Sequence, residues 1–228
     1  MPKRGKNYQA AAAKLEAGRL YAAREAMALL SESVKANYDP TVDVAFRLGV
    51  DPRKADQMVR GAVSLPHGTG KTATVAVVTS GEKAEEARNA GADHVGGDDL
   101  IAELESGNLI DQLDTIIATP DMMGKLGRLG RVLGPRGLMP NPKSGTVTMD
   151  VASAVEQIKA GRVEYRTDRN GNVHAVLGKA SFTVDQLVDN FEAVREELVR
   201  LRPASAKGTY MRSVTVSTSV GPGIPIQP

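Results

Sequence analysis

The sequence contains no cysteine and no tryptophan, and aromatic residues make up only 4% of its 228 positions. The absence of cysteine excludes disulfides, zinc–thiolate sites and thiol-based catalysis. Because aromatic rings are scarce, the core must be aliphatic, which the 41% hydrophobic content allows. No apolar run reaches 18 residues and the N-terminus is basic and polar, so we expect neither a membrane span nor a secretion signal. A cysteine-free chain also fits the reducing cytoplasm, where we expect this protein to act.

The net charge of +2 conceals an uneven distribution along the chain. Residues 1–66 carry a net charge of +4, residues 67–159 carry −4, and residues 160–228 carry +2. Within the acidic middle, residues 82–121 hold eleven carboxylates and two cations, whereas residues 125–143 hold five cations and no carboxylate. Such sorting indicates a polyanionic partner that contacts selected faces. The alternative is a chance partition of surface charge.

The segment GRLGRVLGPRGLMPNPK, residues 127–143, contains four glycines, three prolines and four cationic side chains. Glycine and proline at this density oppose a continuous helix or a central strand. We therefore expect a shaped loop that presents backbone N–H groups and Arg/Lys side chains to an anionic partner. An ordinary solvated connection is the alternative interpretation.

Hydrophobic periodicity in the outer thirds predicts a mixture of helices and antiparallel strands. Apolar spacing predicts helices over residues 22–36 and 184–201, and alternation predicts a half-buried strand over residues 41–48. Residues 210–220 also alternate, with Val214, Val216 and Val220 inward and the hydroxyl side chains outward. The dipeptide Asn170-Gly171 predicts a hairpin that joins strands over residues 163–166 and 173–177.

The middle third repeats a strand–helix rhythm that predicts a parallel sheet with crossover helices. The predicted strands lie at residues 74–79, 93–95, 115–118 and 146–149, and the predicted helices at 81–90, 98–105 and, capped by Asp150, 151–159. We therefore predict two domains of α/β and α+β class. A discontinuous α+β domain comprises residues 1–66 and 160–228, and a Rossmann-like parallel α/β domain, residues 67–159, is inserted into it.

Two features suggest other functions, but their residues do not have the spacing that those functions require. Gly68-Thr69-Gly70-Lys71-Thr72 ends like a phosphate-binding loop, but Leu65 stands where the motif needs its first glycine, and a β-branched run follows instead of a helix. Nucleotide binding there is the alternative function that we carry forward. His67, His94 and His174 are scattered along the chain and do not cluster with carboxylates at metal-ligand spacing. We therefore expect no metal site, no cofactor and no small-molecule substrate.

The predicted outer face of residues 210–220 presents the hydroxyls of Ser213, Thr215, Ser217 and Ser219. A hydroxyl can both donate and accept hydrogen bonds, which suits RNA 2′-hydroxyls and phosphates. Taken alone, the row is more typical of a strand face that contacts only solvent.

Several motifs occur together and in one order along the chain. They are MPKRGK (1–6), LGVDPR (48–53), RGAVSLPHG (60–68), AGAD (90–93), VGG (95–97), ATPDMMG (118–124), residues 127–143, GKASF (178–182), KGT (207–209) and RSV (212–214). In this order they resemble the bacterial large-subunit ribosomal protein L-one family, the universal proteins of the lateral ribosomal stalk. The resemblance covers essentially all 228 residues.

The resemblance implies a structural, non-enzymatic part of the large ribosomal subunit. It implies binding to large-subunit rRNA in the mobile lateral stalk, help in releasing deacylated tRNA from the exit site, and repression of the protein's own operon through its mRNA. It also implies that the two chain crossings, near residues 66–68 and 159–162, act as a hinge between the domains.

The resemblance further implies a set of RNA-binding residues. Those for rRNA are Arg4, Lys6, Tyr38, Thr41, Asp43, Ser213, Ser219, Val220 and Gly221, with Arg128, Arg131, Arg136 and Lys143 as candidates for stalk RNA or tRNA. Gly221 would let the RNA backbone approach closely. The chain departs from the family pattern at three positions: Val220 stands where methionine is common, Asn37 replaces a frequent basic residue, and Pro40 interrupts a polar run.

Overall fold

The computed structural model describes residues 5–33, 36–107 and 109–228. The helices in these ranges are α1 (Lys6–Ala12), α2 (Ala23–Ser33), α3 (Glu82–Asn89), α4 (Asp98–Ser106), α5 (Met123–Leu126), α6 (Gly130–Leu133), α7 (Val151–Lys159) and α8 (Val184–Arg200). The strands are β1 (Thr41–Leu48), β2 (Arg60–Ser64), β3 (Val75–Val78), β4 (His94–Gly96), β5 (Thr115–Ala118), β6 (Arg162–Arg166), β7 (Asn172–Lys179), β8 (Met211–Thr218) and β9 (Ile224–Ile226). No helix in the described ranges combines the length and apolarity needed to cross a membrane.

The chain divides into two compact units. Unit 1 joins the residues up to Gly70 with Val163–Pro228, and unit 2 comprises Lys71–Arg162. Unit 1 is thus discontinuous in sequence, and unit 2 is inserted into it. Movement about the crossings near residues 66–68 and 159–162 stays a prediction.

Unit 1 is built on a four-stranded antiparallel sheet in the order β7-β1-β8-β9. In the central strand β1, Val42, Val44, Phe46 and Leu48 are buried and the intervening side chains are more exposed, which confirms the predicted half-buried strand. The buried face joins side chains of α2 and α8 in one aliphatic core. Within it the rings of Phe46 and Phe191 stack with centroids 5.9 Å apart. The opposite face of β1 and β8 carries the polar residues of the alternation, and we call it the polar face.

Helix α8 confirms the prediction of a helix over residues 184–201. Its start is fixed by a capping box, in which Thr183 Oγ1 accepts from the Gln186 N–H and Gln186 Oε1 accepts from the Thr183 N–H. The buried stripe of Leu187, Phe191, Val194 and Leu198 repeats every three or four residues.

The predicted hairpin around Asn170-Gly171 is wrong in its strand pairing, although the turn itself forms. Asp168 accepts hydrogen bonds from the backbone N–H groups of Asn170 (2.8 Å) and Asn172 (2.7 Å), and Gly171 has φ +82°. Strand β6 nevertheless pairs with β2 in a separate two-stranded sheet, and β7 pairs with β1. The turn chemistry fixes where the chain reverses, whereas packing against distant strands decides which partners it finds.

Strand β8 ends two residues before the predicted limit at residue 220. The buried positions are Val214, Val216 and Thr218, whereas Val220 is 43% exposed. The prediction that Val220 points inward is therefore wrong. After Thr218 the chain turns, with the Gly221 N–H donating to the Thr218 carbonyl at 3.1 Å, so the strand's alternation no longer applies.

Unit 2 contains a three-stranded parallel sheet in the order β4-β3-β5, which confirms the predicted parallel α/β organisation. On one face, Val75, Val77 and Ile117 pack against buried residues of α3 and α7. On the other face, Ala76, Val78 and neighbouring strand residues pack against α4 and the helical segments after β5. The sheet is covered on both sides, as a short parallel sheet requires.

The predicted strand over residues 146–149 is wrong. Val147 makes one isolated parallel bridge to Ala118 instead of a regular strand. Gly145, at φ +75°, turns the chain immediately before it. Asp150 begins the next helix immediately after it by accepting from the Ser153 N–H at 3.2 Å. The segment between these two signals is joined to β5 by the two backbone hydrogen bonds of that bridge, from the Ala118 N–H to the Thr146 carbonyl and from the Thr148 N–H to the Ala118 carbonyl.

The predicted loop over residues 127–143 is wrong in its first half, because α5, the 3₁₀ turn Gly127–Leu129 and α6 follow one another. Leu126, Leu129 and Leu133 are buried in the core of unit 2. Their spacing of three and four residues places them on one helical face. Their burial offsets the roughly 1 kcal/mol that each interior glycine costs a helix. After Leu133 the chain is irregular apart from a 3₁₀ turn at Pro142–Ser144, as its composition predicts.

The first crossing between the units is anchored in unit 1 by a fully buried side chain, Asn190 of α8. Its Nδ2 donates to the carbonyls of Leu177 (2.7 Å) and Gly68 (3.0 Å), and its Oδ1 accepts from the His67 N–H (3.1 Å). Residues 67 and 68 are thereby tied to α8 and to the end of β7.

Candidate nucleic-acid interface

The start of β1 and the end of β8 meet at one end of the four-stranded sheet. The Ser219 N–H donates to the Thr41 carbonyl at 3.1 Å, and Ser219 Oγ donates to the same carbonyl at 3.4 Å. Lys179, at the end of β7, donates from Nζ to Thr41 Oγ1 at 3.0 Å. The structure therefore places the predicted Thr41 and Ser219 side by side and adds a cation, Lys179, that was not predicted. We call this end of the sheet, with Tyr38, Val220 and Gly221, the platform.

Two exposed side chains flank these hydroxyls. Tyr38 is 58% exposed and Val220 is 43% exposed. The segment that carries Tyr38 is fixed, because the Asp39 carboxylate accepts from the Ser181 hydroxyl (2.6 Å) and from the Ser181 N–H (3.0 Å). The next carbonyl, that of Pro40, accepts from the Ala180 N–H at 2.9 Å. A ring held outward on a fixed backbone loses little conformational entropy when a base stacks on it.

Gly221 packs closely against its own chain. A Cβ atom built at this position would lie 2.4 Å from Thr218 Oγ1. Packing within the chain is therefore one reason for a glycine at this position. The close approach of the RNA backbone that we predicted is a second, separate reason.

Asp43 lies on the polar face, two residues into β1 and opposite Ser217 of β8. It is partly buried, and burial raises the pKa of its carboxyl, while His174 and Lys179 act in the opposite direction. The raised pKa reflects the water that this carboxyl loses between the paired strands.

Ser213 is not part of the platform. It is exposed on β8 opposite Arg47, which lies six residues beyond Thr41 on β1, or about 20 Å at about 3.4 Å per residue. The predicted rRNA-binding residues are thus divided between the two ends of the polar face. Lys6 is exposed as the first residue of α1, and Arg4 lies outside the described residues.

Unit 2 carries a separate basic surface on residues 127–143. Arg128 and Arg131 are exposed, three residues apart, on the side of the helical segment opposite the buried leucines. Within the described part of the chain, neither guanidinium lies within 4 Å of a carboxylate, whereas Arg136 forms an ion pair with Asp111. Lys143 is exposed in the following 3₁₀ turn. Arg128, Arg131 and Lys143 therefore present the charge of this surface that no described carboxylate neutralises.

The Gly68–Thr72 segment does not have the geometry of a phosphate-binding loop. Such a loop ends at a helix N-terminus, but the chain here continues into β3. Lys71 Nζ binds both carboxylate oxygens of Asp114 (2.6 and 2.9 Å), which also accept from the Thr74 N–H (3.1 Å). Burial acts to raise the pKa of Asp114, but these hydrogen bonds outweigh it and hold the pKa below its usual range. Lys71 thus serves the fold, and the nucleotide-binding alternative loses its main residue.

The sequence positions that build the platform are far apart, and neither its member Lys179 nor Asp39, which fixes the segment that carries Tyr38, was predicted. Lys179 lies within the GKASF motif, and Asp39 precedes β1, so both were visible as residues. Their role depends on the pairing of β1 with β7 across more than a hundred residues, which no local pattern gives.

Comparisons with known proteins agree with the resemblance of the motifs. Residues 29–222 match the model of the Ribosomal protein L1p/L10e family. The chain is 60% identical over 226 residues to the large ribosomal subunit protein uL1 of Cutibacterium acnes, covering 99% of this chain and 97% of that protein. It is 58% identical over 226 residues to the protein of the same name from Thermobifida fusca, with 99% and 95% covered. For the Lactobacillus acidophilus protein the identity is 57% over 228 residues, with 100% and 98% covered. The chain belongs to the ribosomal protein L1p/L10e family.

Proposed function

We propose that this chain is a structural, non-enzymatic constituent of the large ribosomal subunit that anchors on large-subunit rRNA through the platform of unit 1. Membership of a ribosomal protein family supports the ribosomal role. The observation that carries the RNA contact is the junction of Thr41, Ser219 and Lys179 between the exposed Tyr38 and Val220. Hydroxyls and a cation suit 2′-hydroxyls and phosphates, and an exposed ring suits an unstacked base.

We propose further that unit 2 moves as a body within the mobile lateral stalk and assists release of deacylated tRNA from the exit site. An inserted unit that is joined by two chain crossings can rotate about them as hinges. Asn190 holds residues 67 and 68 in unit 1, so the movement is expected to begin beyond Gly68. Gly70, at φ +72°, is the first residue after that anchor with a glycine's backbone freedom.

The same platform supports a regulatory role, repression of the protein's own operon by binding its mRNA. Repression requires only that an mRNA segment and the rRNA present the same shape to one surface, with the rRNA bound more tightly. Competition between the two RNAs for the platform is the expected behaviour. An mRNA leader that binds equally well to a platform variant and to the unmodified protein would rule out this shared site.

Removal of either platform hydroxyl, in Thr41→Ala or Ser219→Ala, is expected to weaken binding to a stalk fragment of rRNA by about threefold to thirtyfold. Each variant loses one or two hydrogen bonds that contribute about 1 kcal/mol each. Fluorescence anisotropy with the stalk fragment and an unrelated hairpin, across a salt series, measures this. Ser64→Ala, an exposed hydroxyl on β2, is the matched control and should bind as the unmodified protein does.

The unmodified protein should keep its preference for the stalk fragment at high salt, with a shallow slope of log affinity on log salt. Equal affinity for both RNAs, lost steeply as salt rises, would mean that basic residues bind any RNA and that the platform does not distinguish one RNA from another.

Removal of two unpaired charges on unit 2, in Arg128→Gln with Arg131→Gln, is expected to slow tRNA release from the exit site about threefold to tenfold. Affinity for the stalk fragment should stay unchanged, because the rRNA contact lies on unit 1. Arg136→Gln should have a smaller effect, since Asp111 already neutralises that charge. Release of labelled deacylated tRNA from ribosomes reconstituted with each variant measures the rate. Loss of stalk binding in the double variant would contradict the division of roles.

A further inference from the structure

A cavity of about 400 Å³ lies in unit 2 along the outer side of β4. Its lining comes from β4 itself, from Arg88 of α3, and from Asp99, Leu100 and Glu103 of α4. Helices α3 and α4 cover opposite faces of the three-stranded sheet. A cavity that contacts both helices and β4 must therefore follow the edge of the sheet rather than either of its faces.

Strand β4 is an edge strand, because it pairs with β3 on one side and, in the described ranges, with no strand on the other. The Gly96 carbonyl faces β3, where it accepts from the Thr79 N–H at 3.0 Å. The backbone groups of successive strand residues point to opposite sides, so the N–H and carbonyl of Val95 face outward, on the side of the cavity that Val95 lines. A donor and an acceptor on an open edge form a template for another extended chain.

The surface around this edge is acidic. Residues 82–106 hold eight carboxylates and two cations. The Asp99 carboxylate is engaged in fixing the start of α4, where it accepts from the Gly97 N–H at 2.8 Å. Glu103, about one turn further along α4, is exposed, and in residues 5–33, 36–107 and 109–228 no cation lies within 4 Å of its carboxylate. The cavity wall therefore carries a negative charge that suits a lysine or an arginine.

We propose that the open edge of β4 is a docking site for an extended, lysine- or arginine-rich segment of another protein. The segment pairs with the backbone of Val95 and places a cationic side chain on Glu103. In strand addition of this kind, main-chain hydrogen bonds give affinity and the flanking side chains give specificity. The inference concerns unit 2 alone and does not depend on the platform.

The acidic surroundings decide between the possible occupants of this edge. RNA is disfavoured, because the carboxylates of α3 and α4 repel phosphates. A second copy of this chain is disfavoured as well, because its own β4 edge carries the same acidic residues. A basic protein segment satisfies both the outward backbone groups of Val95 and the charge of Glu103.

The test uses the full chain and a labelled synthetic peptide of about eight residues, in which lysine alternates with threonine. One control peptide carries glutamate in place of lysine. A second keeps the lysines but has methylated backbone nitrogens, which cannot donate to an edge strand. Anisotropy should show that the lysine peptide binds at least about tenfold more tightly than either control. The Val95 amide should exchange its hydrogen more slowly when this peptide is bound.

Variants of the chain test the two named contacts. Glu103→Gln is expected to weaken binding of the lysine peptide about threefold to fivefold. Glu105→Gln, which removes an exposed carboxylate of α4 outside the cavity, is the matched control and should bind as the unmodified protein does. Val95→Pro removes the outward N–H and should weaken binding about tenfold, with hydrogen exchange of β3 showing that the sheet is intact.

Each alternative outcome overturns the proposal. Equal binding of the lysine and glutamate peptides would exclude a basic partner. Equal binding of the methylated peptide would show that charge alone holds the lysine peptide, without pairing to the edge. Equal losses in Glu103→Gln and Glu105→Gln would mean that the acidic surface acts as a whole and that the cavity has no part in it. Displacement of the lysine peptide by the stalk fragment of rRNA would assign the edge to RNA instead.

Discussion

Replacement of Asn190 by leucine is expected to destabilise unit 1 by about 3–5 kcal/mol. The side chain is fully buried and joins three backbone groups, those of His67, Gly68 and Leu177. Leucine has a similar volume, so little cavity forms, but one N–H and two carbonyls lose their partner; the bond to Leu177 is buried, and those at His67 and Gly68 are partly buried. Each such group costs about 1–3 kcal/mol, and the added apolar burial offsets part of the sum.

Hydrogen exchange in increasing urea, followed on peptides of β7 and α8, measures this loss within unit 1. Asp189→Asn is the matched control, because Asp189 is the adjacent residue and its largely exposed carboxylate contacts His67 Nε2 at 2.9 Å. An exposed pair contributes about 0–1 kcal/mol. The peptide that contains residues 67 and 68 should lose protection in Asn190→Leu and keep it in Asp189→Asn. Equal stability of the two variants would show that the buried amide does not anchor the crossing.

Elements whose signals are local were predicted well. The alternation in β1, the apolar spacing of α8 and the cap at Asp150 each lie within the element they produce or next to it. The errors arose where a distant partner decides the outcome. The turn at Asn170-Gly171 formed as predicted, but β6 paired with β2, about a hundred residues earlier in the chain. Strand choice depends on packing against such partners more than on local preference.

The segment after β5 shows a different kind of error. Its glycines and prolines predicted a loop, yet Leu126, Leu129 and Leu133 carry a helical spacing in the same sequence. Burial of those leucines in the core of unit 2 outweighs the backbone cost of the glycines between them. The apolar period was therefore the stronger signal, and the glycine count was the weaker one.

The candidate site was predictable in part, because the family motif marks residues but gives no distances. Ser219 donates to the Thr41 carbonyl, so these two residues lie on one surface, as the resemblance implied. Ser213 lies at the far end of β8. Lys179 belongs to the platform because it bonds Thr41, which lies 138 positions earlier in the chain. Gly221 has a packing reason for its lack of a side chain, because Thr218 Oγ1 lies where a Cβ atom would be. These relations depend on strand register and turn geometry, which a single sequence does not specify.

Gly221→Ala is expected to weaken binding to the stalk fragment by about thirtyfold to a hundredfold, the largest loss among the platform variants. The added methyl group would meet Thr218 Oγ1 at 2.4 Å, so the Thr218 side chain or the turn after β8 must shift. Thr218 is buried, and a shift of the turn moves Ser219 and Val220, which lie between these two residues on the platform. The methyl group also occupies space that an RNA backbone would use. Anisotropy with the stalk fragment measures the loss, and hydrogen exchange of β8 reports whether the strand itself stays intact.

The double variant Thr218→Ala with Gly221→Ala separates the two causes, because it removes the hydroxyl that the new methyl group would strike. Thr218→Ala alone is the reference, since Thr218 is buried and its hydroxyl does not face solvent. If RNA requires the space at position 221, the double variant stays at least about tenfold weaker than this reference. Recovery to the reference affinity would mean that the glycine serves only the turn. In that case the contact with RNA at this end of the sheet must come from Tyr38, Thr41, Ser219 and Lys179, whose positions the turn maintains.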